Sequence, residues 1–368
     1  AGSEALYAIS QAIELALGCE GPVFMQGWGL DDIGYSGKFR ERGSFAALAS
    51  AFPLAVRCPE ALRVQPVALI NYTTRRCSAH PGFAGEDAFL YTAKTYVAEP
   101  LREGRPGYVL REDRTQLHIQ PESAFKEPTL IFEEIGRLRD LGCRHVMLLW
   151  QHYGNRRIGR TADRHAPHSS SEFLEGVAER FPDLTIYPLS RDVFPAMRLM
   201  GRPAWGRAFE AARMREHEEF WLPAQRDYCR ELIPVYTLAT LTVVGNTETE
   251  MERPQSGFCT YFLEWDSRLS QREWAERARA NLTDPNQNAA IRPVLISVLR
   301  GVHYLHAEQG VRHGLIKPKL DPHQWIAPAT IAGAGELKVM GARHKGSIIL
   351  SFPAVLAQIS TILRGNHP

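Results

Sequence analysis

The chain has no apolar run near the roughly 20 residues that a membrane-spanning helix needs, and it shows no internal repeat and no low-complexity tract. It has little net charge. Its 43 Lys and Arg residues stand against 41 Asp and Glu, a formal +2, so no global basic field marks it as a nucleic-acid binder. Cysteine is sparse, with six among 368 residues, at positions 19, 58, 77, 143, 229 and 259. None forms a C-x-x-C pair, which excludes a zinc ribbon and a disulfide scaffold and fits a reducing compartment. The amino-terminal "AGSEALYAISQAIELALGC" carries no basic residue ahead of its apolar stretch, and Glu14 interrupts that stretch. It reads as an amphipathic helix over Glu4 to Leu17 capped by Ser3, not as a signal peptide. Together these absences point to a soluble, cytoplasmic globular chain that does not meet a membrane.

What is present is an α/β pattern. After a glycine-rich stretch (Gly27 to Gly37) and a short helix around Phe45 to Ala51, "VQPVALINYTTRRC" reads as a strand with Val67 to Ile70 buried. "AFLYTAKTYVA" and the short "TQLHIQ" would complete an antiparallel meander. In "EPTLIFEEIGRLRDLG", Pro128 suits a first helical turn and Gly142 closes the helix. The strand "HVMLLW", a helix over Ser171 to Arg180 and the strand "LTIYPL" follow. An Arg-rich region of helical composition runs to about Arg230, ahead of the strands "VYTLATLTVV" and "GFCTYFLEW". Beyond Ser270 come helices around Glu273 to Asn281 and Val294 to Leu305, a loop holding "IKPKLDPHQWIAP", a hairpin in "ELKVMGARHKGSIILSF" and a last helix over Ala354 to Leu363. A soft boundary falls in the polar stretch 282–290. The expected division is an N-terminal helical segment (1–61, a remnant of a preceding domain), a core (62–281) and a C-terminal extension (282–368).

Charge is uneven along this frame. From Arg137 to His168 there are seven arginines, two aspartates and no glutamate, while Glu216 to Glu219 is acidic. The apolar run Val146 to Trp150 opens into a loop with His152, Tyr153, Arg156, Arg157, Arg160 and Arg164. Arginine offers a planar fork of donors that matches phosphate oxygens, and Gly154 and Gly159 let the backbone approach a ligand. The loop reads as an anion site, with Arg75 and Arg76 at the exit of the first strand as a second contact. The competing reading pairs these arginines with Glu172, Glu175, Glu179 and Asp183 as an ordinary ion-pair network, and a third makes them a protein interface. His165 and His168, flanking Pro167, read as a surface pair and not as metal ligands.

Three meander strands followed by helix, strand, helix and strand is the element order of the ribonuclease H-like fold. "GCRHVMLLWQHYGNRRIGR" resembles the PIWI-domain strand that ends in a polar loop, "LTIYPLSRD" the next PIWI strand, and "RPQSGFCTYFLEW" the late strand before C-terminal helices. Over residues 62–270 the chain resembles the prokaryotic PIWI-like (Argonaute-like) proteins of the pPIWI-RE type. The resemblance implies a mixed RNase H-like (PIWI-type) sheet flanked by helices, with a helical and hairpin C-terminal extension. It further implies recognition of a guide or target strand (RNA or DNA, single strand or hybrid) in defence against foreign DNA, beside helicase and nuclease partner proteins.

Catalysis turns on carboxylates. Two-metal hydrolysis needs several oxygen ligands converging on the ions, and in this fold they come largely from the first strand and the strand after the first helix. Here the first strand offers Asn71, and the later one Gln151 and His152, with Asp87, Glu122, Asp163 and Asp192 as the nearest acids. The expectation is a binding protein that is catalytically inactive and holds no metal or other cofactor. The enzyme alternative is a Mg²⁺- or Mn²⁺-dependent nuclease, through a rearranged acidic set or through Asp321, Glu336 and Lys338, which have the spacing of a restriction-type site. "YLHAEQGVRHGLIKP" has the look of a kinase catalytic loop, but Gly314 stands where the base aspartate belongs and no D-F-G follows.

Overall fold

Val67 to Ile70 and Val146 to Leu149 are buried without a break, the pattern of strands covered on both faces. In the computed structural model they lie side by side. The structure describes residues 53–58, 66–79, 86–101, 105–125, 127–151, 171–195, 213–217, 230–241, 257–283, 291–305, 336–338 and 349–351, together with Ile13 and Leu17, which are helical.

The strands are β1 (Leu54–Arg57), β2 (Val67–Ala79), β3 (Asp87–Pro100), β4 (Gly107–Pro121), β5 (His145–Gln151), β6 (Thr185–Pro195), β7 (Arg213–His217), β8 (Arg230–Leu241), β9 (Gly257–Asp266), β10 (Glu336–Lys338) and β11 (Ile349–Ser351). The first nine form one mixed sheet in the order β1-β4-β3-β2-β5-β6-β9-β8-β7, and β10 pairs with β11 apart from it. β2, β3 and β4 are an antiparallel meander. β5 then pairs with β2 in parallel, from Val67↔His145 to Thr73↔Gln151, and β6 with β5 in parallel.

The helices are α1 (Thr129–Asp140), α2 (Ser171–Arg180), α3 (Glu273–Thr283) and α4 (Ile291–Leu305). In α1 the buried residues Ile131, Glu134, Ile135 and Leu138 fall on one face at helical spacing. Gly142 ends it at φ 89°, where a side chain would be strained. Its N–H bonds back to Arg139 O and that of Cys143 to Leu138 O, which satisfies the last carbonyls. Register fixes which face each helix covers. Ile70 stands opposite Thr95 and Leu148, and Thr95 donates to Glu134 of α1 at 2.7 Å. Phe132 of α1 stacks on Phe173 of α2, so α1 and α2 share that face. The alternate row, Leu69, Met147 and Tyr187, faces α3, whose Asn281 donates to the Tyr187 hydroxyl at 2.7 Å. α4 packs on the same side through Ser297, which accepts from Tyr108 at 2.9 Å.

Three expectations change. β4 begins at Gly107, well before "TQLHIQ", because the charged stretch Arg111 to Arg114 is part of the strand and its charges are paired. β1 was not expected: Leu54 to Arg57 fall in the segment 1–61 expected to be helical, but they pair with Leu110 to Gly107 as an added strand. Arg213 to His217, in the region of helical composition, is a strand on β8; pairing with an open sheet edge outweighs the good helix propensity of Met, Arg and Glu, which tertiary context routinely overrides. The expected helix at 354–363 and the polar stretch 284–290 lie outside the described residues. Among the described residues no helix is long and apolar enough to cross a membrane.

Candidate functional site

Among the described residues the last rung of β2 with β5 is Thr73↔Gln151, and β2 continues with β3 through Arg75↔Leu90 and Arg76↔Phe89. The residue after Gln151 is His152, the first of the arginine-rich segment. The fold therefore brings the strand bearing Arg75 and Arg76 and the residue preceding that segment to one edge, the carboxyl ends of the parallel strands. In open α/β sheets that edge forms the ligand crevice. His152, Tyr153, Arg156, Arg157, Arg160 and Arg164 themselves lie outside the described residues, as does Asp321. Glu336 and Lys338 are alternate residues of β10, opposite Ser351 and Ile349 in the separate two-stranded sheet.

The competing ion-pair reading meets a difficulty at α2. Arg272 holds Glu175 at 2.6 Å. Arg139 holds Asp183 at 2.9 Å, with Arg144 at 3.8 Å; the bond from Arg139 keeps the Asp183 carboxyl below its usual range. Two of the four carboxylates that would neutralise the loop are thus engaged by arginines from other segments.

Around the strand ends the acids are dispersed. Asp192 of β6 stands opposite Thr260 of β9, Asp87 opposite Ala79, and Glu122 opens a short helical turn, Glu122–Phe125. Asp163 lies outside the described residues. Among the described residues no group of three or more His, Cys, Asp or Glu side chains is placed to hold a metal. Asn71, at the centre of β2, is buried and stands between Lys94 and Leu149.

Sequence reasoning passed over two buried charged groups. Lys94 of β3 meets Glu112 of β4 at 3.1 Å, and both are buried. Glu134 of α1 is fully buried and accepts from Thr95, Arg114, Gln116 and Arg137. The one signal for the first pair was Lys94 lying inside an otherwise buried strand pattern. At the other end of the sheet, His145 Nδ1 is 2.9 Å from the Tyr187 hydroxyl. Burial, with Arg277 nearby, lowers its pKa to about 4, so this ring is neutral at pH 7. His118, opposite Tyr91, is also lowered, by burial and by Arg114.

No protein-family model matches the chain, and no curated protein matches it. Among solved structures it is similar to the NurA nuclease from Sulfolobus solfataricus, at 6% identity over 73% of this chain and 95% of that one, with a TM-score of 0.23. A likeness that slight carries no argument about fold or activity.

Proposed function

We propose that the core is RNase H-like and that the chain binds nucleic acid across the carboxyl ends of β2, β5 and β6, as a guide or target strand is held in PIWI-like proteins. The observation that carries this reading is the edge shared by Arg75, Arg76 and the residue preceding the segment that holds Arg156, Arg157, Arg160 and Arg164. The order β4-β3-β2-β5-β6, a meander followed by two parallel strands, is compatible with an RNase H-like core and supports the reading. With the sequence resemblance, the role is defence against foreign DNA, alongside helicase and nuclease partners.

Phosphates supply most nucleic-acid affinity, and each one neutralised adds about 0.7 to 0.9 to the slope of log affinity against log salt. Binding of fluorescent single strands and hybrids, titrated over salt, tests the reading. Replacing Arg156, Arg157 and Arg160 with alanine should weaken binding and flatten the slope by about 2 to 3. An unchanged affinity and slope would return these arginines to an ion-pair or interface role. The chain alone should not cleave nucleic acid with Mg²⁺ or Mn²⁺, because Asn71 and Gln151 carry no charge to offset an ion's lost hydration. Cleavage that disappears with Glu336→Gln or Lys338→Ala would replace the binding reading with the C-terminal nuclease.

A further inference from the structure

The sheet face on which α3 and α4 pack is mostly apolar, but near its middle the pattern breaks. Asn71, Lys94 and Thr115 stand directly opposite one another on β2, β3 and β4. They are 2%, 4% and 2% exposed, and the neighbouring Glu112 is 3% exposed, so the group is withdrawn from water. Lys94 Nζ donates to Glu112 Oε2 at 3.2 Å and lies 3.1 Å from Oε1, and the Thr115 hydroxyl donates to Oε1 at 2.9 Å. Thr92, two residues along β3, is wholly buried, and among the described residues its hydroxyl oxygen has no hydrogen-bond partner.

Burying charge is tolerated when it is balanced and hydrogen-bonded. One carboxylate balances one ammonium. It does not balance a divalent ion, which takes several oxygen ligands including carboxylates. Asn71 sits about 5 Å across the rung from Lys94 and is neutral, so it cannot supply the missing charge. From this juxtaposition we infer that the Lys94 ammonium is a built-in cation, which with Glu112 holds the place a divalent metal would take at the centre of the sheet. The inference rests on the RNase H-like reading of the core, since that reading makes the centre of β2 the place to look for a metal.

The test is Mn²⁺ uptake, followed by electron paramagnetic resonance and by thermal denaturation with Mn²⁺ or EDTA. The parent chain should take up no Mn²⁺ at this group and keep the same Tm. Asn71→Asp should still take up none, because the ammonium remains. Asn71→Asp combined with Lys94→Ala leaves two carboxylates and no ammonium. It should be destabilised in EDTA, bind one Mn²⁺, and gain about 3–4 °C in Tm at a hundredfold excess over Kd. Adding Glu112→Gln should abolish that gain. Mn²⁺ uptake by the parent that Glu112→Gln removes, or by Asn71→Asp alone, overturns the inference. A combined variant that shows no Mn²⁺ response, folded or not, also overturns it. None of these readouts uses nucleic acid, so a failure of nucleic-acid binding would count against the proposed function alone.

Discussion

Two regions of the chain are rich in arginine, and they differ in the carboxylate supplied with it. Across β3, β4 and α1 the guanidiniums are matched to carboxylates: Arg137 to Glu134 and Asp113, Arg111 to Asp113 and Glu99, Arg114 to Glu134. The bond to Glu134 and the charge of Asp113 raise the Arg137 pKa further. In 152–170 the sequence supplies four arginines and one acid, Asp163, while Glu175 and Asp183 nearby are engaged by Arg272, Arg139 and Arg144. Matched charge ties α1 to the sheet. Excess charge at a strand-end edge is what an anion needs. The difference teaches that arginine count alone says little; the local supply of carboxylate is what sets the two regions apart.

The largest effect should come from breaking the matched region at its buried member. Glu134→Ala would leave Arg137, Arg114 and Thr95 without their shared acceptor. Removing one partner of a buried pair costs about 3–5 kcal/mol. Because both guanidiniums reach solvent in part, at 32% and 38% exposure, we expect the low end, about 3 kcal/mol, in urea denaturation. A loss under about 1 kcal/mol would show that this region is ordinary surface pairing.

A second break uses pH at the amino end of β5, far along the strands from the arginine loop. In the folded chain His145 has a pKa of about 4, against about 6.5 when unfolded. The unfolded chain therefore binds the extra proton first. The contribution is fully present above pH 6.5 and is lost as pH falls towards 4, amounting to about 3 kcal/mol. The groups facing the ring are the Tyr187 hydroxyl and Arg277, and Arg277 opposes protonation. His118 is shifted in the same direction. His145→Gln should flatten the stability profile between pH 6.5 and 4. An equally steep profile in that variant would assign the acid sensitivity elsewhere.

Much of the sheet was legible because apolar periodicity announces buried strands. Val67 to Ile70, Val146 to Trp150, Thr185 to Leu189 and the helix over Ser171 to Arg180 are where the sequence pattern puts them. β4 was half hidden, since "LREDR" looks like solvent-facing charge until Lys94 and Arg137 arrive from positions distant in the chain to pair with it. β1 is four residues long and depends on β4 for its pairing, so it carries no independent periodic signal. Of the candidate site, sequence supplied the arginines and the missing acid at Asn71. It did not supply the Lys94–Glu112 pair, because a partner in another strand leaves no mark within a local window.

The smallest stability effect should come from the loop, and its smallness sharpens the contrast. Substitutions at surface positions away from buried contacts stay within about 0.5 kcal/mol. If Arg156, Arg157 and Arg160 face an anion instead of protein carboxylates, the triple alanine variant should unfold in urea close to the parent while losing salt-dependent binding. Arg137→Ala should do the reverse. It should cost about 1–2 kcal/mol through Glu134 and Asp113 and leave the salt slope of binding unchanged. The two variants measured side by side separate the roles more sharply than either does alone. Should the triple variant lose about 2 kcal/mol or more, its arginines would belong with the matched charges, and the strand-end edge would have no excess to offer a phosphate.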